Sequence, residues 1–146
     1  MTEKQEHLLQ LFRELDEICK KNNLRYVMAG GTAIGVVRNE GFIPWDDDLD
    51  IEMLRSDYLR LLKVLPQELP DNLALQTNET DPNYIFIYGK LRDKDSHLEE
   101  TNSYDRIFHY TGIYIDIFPL EKIPYCLAWI GVHMQGQIYN LSLIHI

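Results

Sequence analysis

The chain has 146 residues, of which 45% are hydrophobic and 25% are charged, so it is long and apolar enough for one globular domain. These proportions exclude a disordered tail, a collagen-like fibre and a low-complexity linker. Lys and Arg number 14 against 23 Asp and Glu, which gives a net charge of −9. This charge argues against nucleic acid as a partner, because the phosphates would be repelled.

Compartment signals are few. No stretch reaches the ~20 apolar residues of a membrane span, and the charged N-terminus is unlike a signal peptide. Cys19 and Cys126 form no metal-binding motif and are expected to be reduced thiols. We therefore expect a cytoplasmic protein without a transmembrane segment. Peripheral contact with the inner face of the membrane is compatible with this expectation.

Hydrophobic periodicity and helix breakers divide the chain into helices and strands. The first helix is the best defined, because Thr2 and Gln5 fit a capping box. The order predicts an α/β or α+β domain with a mixed sheet flanked by helices. In chain order, the predicted elements are a helix over 3–21, a strand over 24–29, a turn at 30–32 leading into a helix that ends at Arg38, a strand over 48–53, a helix from Ser56 to Pro66, strands over 73–77, 84–91 and 112–118, and a last helix opened by Pro124.

The strongest local feature is an acidic cluster over residues 40–52, which contains six acids and no Lys or Arg. In a strand over 48–53, the side chains of Asp48, Asp50 and Glu52 share one face at a spacing of about 7 Å. Neighbouring carboxylates then repel by about 2 kcal/mol at an effective dielectric constant of about 20. Because the flanking residues are apolar, we favour a divalent cation, Mg²⁺ or Mn²⁺, as the counter-charge over a solvated acidic loop.

A glycine pair precedes this cluster. Gly30, Gly31 and Thr32 fall between a predicted strand and a predicted helix. Two glycines let a phosphate approach the backbone closely, and the start of a helix offers free N–H groups. The pair alone is unspecific, and the GxxxxGK[ST] phosphate loop is absent from the sequence. Together with the acids that follow, it predicts a phosphate-binding turn.

A Gly-Gly-Ser/Thr turn followed by an Asp-x-Asp strand resembles the nucleotidyltransferase fold, in which a later strand supplies a third carboxylate. Asp116 is the candidate here, since it is the lone acid of an apolar strand and has no cationic neighbour in sequence. The resemblance implies that Asp48, Asp50 and Asp116 are both the catalytic and the metal-binding residues. Three carboxylates are enough to hold two Mg²⁺ ions about 4 Å apart.

Longer motifs make the resemblance more specific. Over residues 24–121 the chain resembles the LicD family, to which fukutin-related proteins are distantly related. The motifs that carry this resemblance are GGTAIGVVR at 30–38, GFIPWDDDLD at 41–50, YGKLRD at 88–93 and IDIFP at 115–119. Members of this family are usually longer, so we expect residues 1–146 to form one domain in which 122–146 begin a truncated C-terminal part.

The family resemblance implies an activity. It is the Mg²⁺-dependent transfer of a phospho-alcohol from a CDP-activated donor such as CDP-choline. Phosphocholine is the favoured phospho-alcohol. The acceptor implied is a hydroxyl of a cell-surface glycan of the lipopolysaccharide or teichoic acid type. Two alternatives stay open, namely nucleotidyl transfer to a small molecule and an inactive fragment that only binds nucleotide or metal.

Basic and aromatic residues near these motifs are further candidates. The resemblance favours phosphate contacts for Lys90 and Arg92, rather than a solvated strand end. Arg38 is interpreted equally well as a clamp on the donor phosphates or as an ion-pair partner of the neighbouring acids. Trp45 is expected to pack in the core rather than to stack on a base or a choline ammonium group.

Overall fold

A computed structural model describes residues 1–98 and 107–122. Within them the chain forms three helices and one five-stranded sheet of order β1-β2-β5-β4-β3, in which only β2 and β5 are parallel. The predicted α/β class with a mixed sheet is therefore confirmed. The elements are α1 (Glu3–Lys21), β1 (Val27–Met28), α2 (Gly30–Asn39), β2 (Asp50–Leu54), α3 (Arg55–Glu68), β3 (Leu73–Gln76), β4 (Gly89–Asp93) and β5 (Tyr114–Leu120).

Helix α1 begins where the sequence predicts. Thr2 Oγ1 accepts a hydrogen bond from the Gln5 backbone N–H, and Gln5 Oε1 accepts one from the Thr2 N–H. This reciprocal pair is the predicted capping box. None of the described helices combines the length and the hydropathy that crossing a bilayer requires.

The core lies between α1, α3 and one face of the sheet. Alternation along β2 and β5 turns every second side chain towards it. The opposite face carries the polar residues Asp50, Asp116 and Lys90. The core side chains of the central strands are Ile51, Met53, Leu91, Ile115 and Ile117, all with 1% exposure or less.

Three boundaries around the acidic cluster differ from the prediction. Strand β1 has only two residues, and β2 begins at Asp50, so Asp48 lies in the preceding loop. The expected turn at 30–32 is the first turn of α2, whose N-cap is Ala29. Thr32 does not cap this helix, because its Oγ1 accepts a hydrogen bond from the Asp50 N–H at 3.0 Å. Tertiary contact with β2 overrides the local capping preference.

The later strands are also shifted. Strand β4 covers Gly89–Asp93 instead of 84–91. Strand β5 continues through Pro119, which the sequence predicts as a stop. This continuation is tolerated because the β4 pairing ends at Ile117, so Pro119 has only β2 as a neighbour. The predicted helix after Pro124 lies outside the described residues.

Candidate active site

The centre of the site is a row of charged side chains that crosses three strands. Asp50 of β2 lies opposite Asp116 of β5, and Asp116 lies opposite Lys90 of β4. Because paired residues point to the same face of a sheet, the three side chains share the face opposite the core. Lys90 Nζ lies 2.7 Å from Asp116 Oδ1. The register thus sets two carboxylates and one ammonium side by side.

The backbone of Asp50 is held by the first turn of α2 and by its N-cap, Ala29. Its N–H donates to Thr32 Oγ1 and its carbonyl accepts from the Ala29 N–H, each at 3.0 Å. Gly30 has a φ of +49°, and a Cβ built on it would lie 3.3 Å from Asp50 Oδ2. Glycine therefore lets the N-terminus of α2, with its free N–H groups and positive dipole, begin beside the carboxylate.

The three consecutive aspartates before β2 face different neighbours. A Cβ on Gly31 would lie 2.6 Å from Asp46 Oδ2, so the Asp46 side chain lies against the first turn of α2. Asp47 pairs with Lys4 of α1, with Nζ and Oδ2 2.8 Å apart. Asp48 lies close enough to Asp46 for the two carboxyl groups to interact, which raises the pKa of Asp48. Asp46 and Asp48 therefore belong to the site, and Asp47 is directed towards α1.

Burial and mutual repulsion raise the pKa values of two of these acids. Burial, then the hydrogen bond and charge of Asp46, raise the pKa of Asp48 to about 6. Burial, then the charges of Asp48 and Asp116, raise the pKa of Asp50 to about 6 as well, whereas Lys90 acts in the opposite direction. The site holds more negative charge than its surroundings compensate, and this excess would favour a cation.

The carboxylates of Asp48, Asp50 and Asp116 are hard oxygen donors, the type of ligand that a divalent cation such as Mg²⁺ prefers. Within residues 1–98 and 107–122, however, no three acidic, His or Cys side chains already converge on one point. Asp116 contacts Lys90, a cation that is not its neighbour in sequence. The partner comes from β4, a strand that sequence proximity does not reveal.

Aromatic rings surround the Lys90 ammonium, which is buried. Its nitrogen lies 3.4 Å from the ring centroid of Tyr114, 5.6 Å from that of Tyr88 and 5.9 Å from that of Phe86. The Tyr88 and Phe118 centroids are 4.5 Å apart and extend this surface on the face of the acids. These rings were not predicted from the sequence, although the alternating aromatic residues over 84–88 indicate them.

Arg92 lies beside Lys90 on β4, but its side chain is buried. Its Nε donates to Gln76 Oε1 at 2.8 Å, and its Nη1 donates to the Gly112 carbonyl at 2.7 Å. Its guanidinium also lies 4.2 Å from the Tyr114 ring centroid. These contacts join β3, β4 and the start of β5, so the observed role of Arg92 is to fix the strands that carry Lys90 and Asp116.

The two remaining candidates lie at the surface. Arg38 is exposed in the last turn of α2, so about 12 Å of helix separates its backbone from Gly30. Within the described part of the chain, no ion pair joins it to an acid. Trp45 is 86% exposed, so the prediction that it packs in the core is wrong. It occupies the tip of a turn, where no core is within reach.

A mixed sheet that aligns two aspartates beside a glycine-led helix is the arrangement expected of a nucleotidyltransferase fold. Residues 23–134 match the family described as LicD/FKTN/FKRP, nucleotidyltransferase domain. The chain therefore belongs to this family, which confirms the resemblance seen in the motifs.

Individual relatives agree with this assignment. The chain is 37% identical over 125 residues to the lipopolysaccharide cholinephosphotransferase LicD of Haemophilus influenzae, covering 85% of this chain and 45% of that protein. It is 43% identical to an uncharacterized protein of Rickettsia prowazekii, with 81% and 46% covered, and 32% identical to one of Rickettsia typhi, with 81% and 39% covered. The chain thus spans less than half the length of these relatives.

Proposed function

We propose that this chain is the nucleotidyltransferase-fold part of an enzyme that transfers a phospho-alcohol from a CDP-activated donor to a hydroxyl of a cell-surface glycan. Phosphocholine is the phospho-alcohol that we favour. The observation that carries the proposal is the in-register pair Asp50 and Asp116 beside the start of α2. Phosphoryl transfer depends on positioning and on charge neutralisation, and this pair lies where both can be supplied.

Asp48, Asp50 and Asp116 are the residues that would hold a divalent cation, Mg²⁺ or Mn²⁺. When bound, such an ion neutralises the negative charge of the donor phosphates and of the leaving CMP. Support comes from the raised pKa values of Asp48 and Asp50, since burial and the neighbouring acids cause them and a dication would offset the repulsion between the acids.

The chain's own residues would perform the remaining tasks. The N–H groups of Gly30 and Gly31 at the start of α2 would bind the donor phosphates, and Thr32 would keep this turn joined to β2. Lys90 contributes a fixed positive charge next to Asp116. Asp48, Asp50 and Asp116 are the candidates for the base that takes the proton of the acceptor hydroxyl, because a carboxylate can accept a proton and these three would lie at the reacting phosphate.

The choice of phosphocholine rests on two observations. The Haemophilus influenzae relative is named as a cholinephosphotransferase acting on lipopolysaccharide. In addition, Tyr88 and Phe118 form a half-buried aromatic surface near the acids, and a quaternary ammonium binds to aromatic faces. A nucleotide-activated donor implies a cytoplasmic location, with peripheral contact at the inner face of the membrane where the acceptor is membrane-bound.

One assay separates this proposal from its alternatives. The chain is incubated with labelled CDP-choline, with a CDP-polyol and with CTP, each with lipopolysaccharide acceptor and with or without Mg²⁺. Mg²⁺-dependent release of CMP from CDP-choline supports the proposal, whereas pyrophosphate release from CTP indicates nucleotidyl transfer. Binding of the nucleotides without any release indicates a fragment that only binds ligand.

Two variants of β2 form a matched pair for this assay, Asp50→Asn as the test and Glu52→Gln as its control. Asp50→Asn removes a carboxylate of the site, and Glu52→Gln removes one from the same strand face two residues further on. Asp50→Asn is expected to lower CMP release by about 100-fold, the effect of losing one charge-stabilising group. Equal activity in the two variants would contradict the assignment of Asp50.

A further inference from the structure

Gln5 of α1 reaches the acidic loop although it is distant from it in sequence. Its Nε2 donates to the Ile43 carbonyl at 3.2 Å and to the Asp46 carbonyl at 2.8 Å. Its Oε1 accepts from the Thr2 N–H at 2.9 Å, and the residue is only 3% exposed. The carboxamide therefore uses both of its N–H groups and its oxygen in the protein interior.

The two carbonyls that Gln5 holds are the ends of one β-turn. The Asp46 N–H donates to the Ile43 carbonyl at 3.0 Å, which closes a four-residue turn with Pro44 in its second position. The tip of this turn carries the exposed Trp45. Asp46 is the last residue of the turn, and Asp47 and Asp48 follow it directly. The position of the turn therefore determines the positions of these three acids.

The other side of the loop lies tightly against α2. A Cβ on Gly35 would lie 2.5 Å from the Gly41 carbonyl oxygen and 3.0 Å from the Ile43 nitrogen. The loop is thus confined between two helices. Since α2 limits its approach on one side, α1 holds the loop from the other, where Lys4 pairs with the exposed Asp47 and the buried Gln5 binds the turn itself.

We propose that Gln5 is a positioning residue of the candidate active site. By holding both ends of the turn, it sets the Asp46 side chain against Asp48 and fixes the place of Asp48 relative to Asp50. This inference rests on the proposed cation-binding role of Asp48 and Asp50. Gln5 lies outside residues 23–134, the part that matches the family, so α1 contributes to a site whose acids lie within that part.

Two substitutions separate this role from the capping of α1. Gln5→Glu keeps a capping-box residue, because Glu is as suitable as Gln at this position, but it loses both donors. Gln5→Met also loses both donors and adds no charge near the acids. Gln10→Glu and Gln10→Met are the matched controls, since they make the same changes at an exposed position of the same helix.

The first measurement is hydrogen exchange at the Asp46 amide, which does not depend on any activity. Both Gln5 variants are expected to exchange this proton about tenfold faster or more, because two hydrogen bonds that hold the turn are gone. In Gln5→Glu, the amides of the α1 interior should keep their protection. Unchanged exchange at Asp46 in both variants would overturn the proposal.

The second measurement is calorimetric binding of Mn²⁺ well below the unfolding temperature. Gln5→Met is expected to bind Mn²⁺ about tenfold more weakly than the parent, because a looser turn no longer holds Asp48 in place. Binding as tight as in the parent, despite faster exchange at Asp46, would overturn the positioning role. Should the parent chain bind no Mn²⁺, the proposed cation site itself is wrong, and the exchange measurement alone decides whether Gln5 fixes the turn.

Discussion

Asp50 and Asp116 lie directly opposite each other on β2 and β5, the only parallel pair in the sheet that the structure describes. Neighbouring strands are about 4.8 Å apart, so two carboxylates in register repel strongly. Lys90 offsets the charge of Asp116 from the far side of β5. Within residues 1–98 and 107–122, no ion pair joins Asp48 or Asp50 to a basic side chain, and burial together with the repulsion between the acids raises their pKa values.

A first prediction concerns cation binding. Mg²⁺ or Mn²⁺ should raise the melting temperature of the chain, because an ion that binds only the folded state stabilises it by mass action. In a variant with Asp48→Asn and Asp50→Asn this rise should vanish, whereas Glu52→Gln should keep it. Differential scanning fluorimetry with and without the ion measures the effect. Equal shifts in the parent and in the double variant would rule out these two ligands.

A second prediction concerns pH in the absence of cations. The pKa values of Asp48 and Asp50 rise from 3.8 to about 6 on folding. Between these values the folded state binds more protons than the unfolded state, so the free energy of unfolding falls as the pH rises through 6. The variant with both aspartates changed to Asn lacks this loss. It should therefore be more stable than the parent at pH 7 and about equally stable at pH 4.

Urea unfolding in EDTA at several pH values measures this difference. Comparison of the variant with the parent cancels the contributions of titrating groups that are distant from the site. Because Asp48 is partly screened by solvent, we expect a gain of about 1 kcal/mol rather than the full effect of two shifted groups. A stability difference that stays constant from pH 4 to pH 7 would contradict the raised pKa values.

Features with a local signal could be predicted from the sequence. The capping box of Thr2 and Gln5 is encoded within four residues, and the alternation of acidic and apolar residues identifies β2. Asp116 could be selected as a candidate because a buried acid in an apolar strand is costly unless it is paired, and the structure places it opposite Asp50. These three predictions depend on sequence neighbours alone.

Features that depend on strand order could not be predicted in this way. Lys90 becomes the partner of Asp116 because β5 lies between β2 and β4, an order that no local pattern reveals. Trp45 was misassigned since its apolar side chain occupies a turn held by Gln5, a residue nearly forty positions earlier. Tertiary contacts decided both cases.

A third prediction tests the close packing of α2 against the acidic loop. Alanine in the middle of a helix is normally more stable than glycine by about 1 kcal/mol. Gly35→Ala should nevertheless destabilise the chain by about 1–3 kcal/mol, because its Cβ would overlap the Gly41 carbonyl and the Ile43 nitrogen. Chemical denaturation measures this loss.

Gly41→Ala is the control for the same loop. A Cβ on Gly41 would meet nothing within 4 Å, so the change should alter the free energy of unfolding by less than about 0.5 kcal/mol. If Gly35→Ala is as stable as the parent, the loop is able to move away from α2, and the confinement of the acids is wrong.

The last prediction concerns the ion pair of Asp116 and Lys90. From the sequence alone, Asp116→Asn should leave folding intact, because the amide is nearly isosteric. The structure changes this expectation, since Lys90 is only 4% exposed and its ammonium would lose its charged partner. We expect Asp116→Asn to destabilise the chain by about 3 kcal/mol, the lower range for breaking a buried pair.

Lys90→Met should recover most of this loss in the double variant, because it removes the buried ammonium whose ion pair with Asp116 is broken and fills the same apolar space among the rings of Phe86, Tyr88 and Tyr114. Transfer activity distinguishes the catalytic role of the carboxylate from its structural role. Asp116→Asn, alone or with Lys90→Met, should lower turnover by about 100-fold or more, so that stability returns while activity does not. A stable double variant with near-normal turnover would exclude Asp116 from the site and make Asp46 the next acid to test.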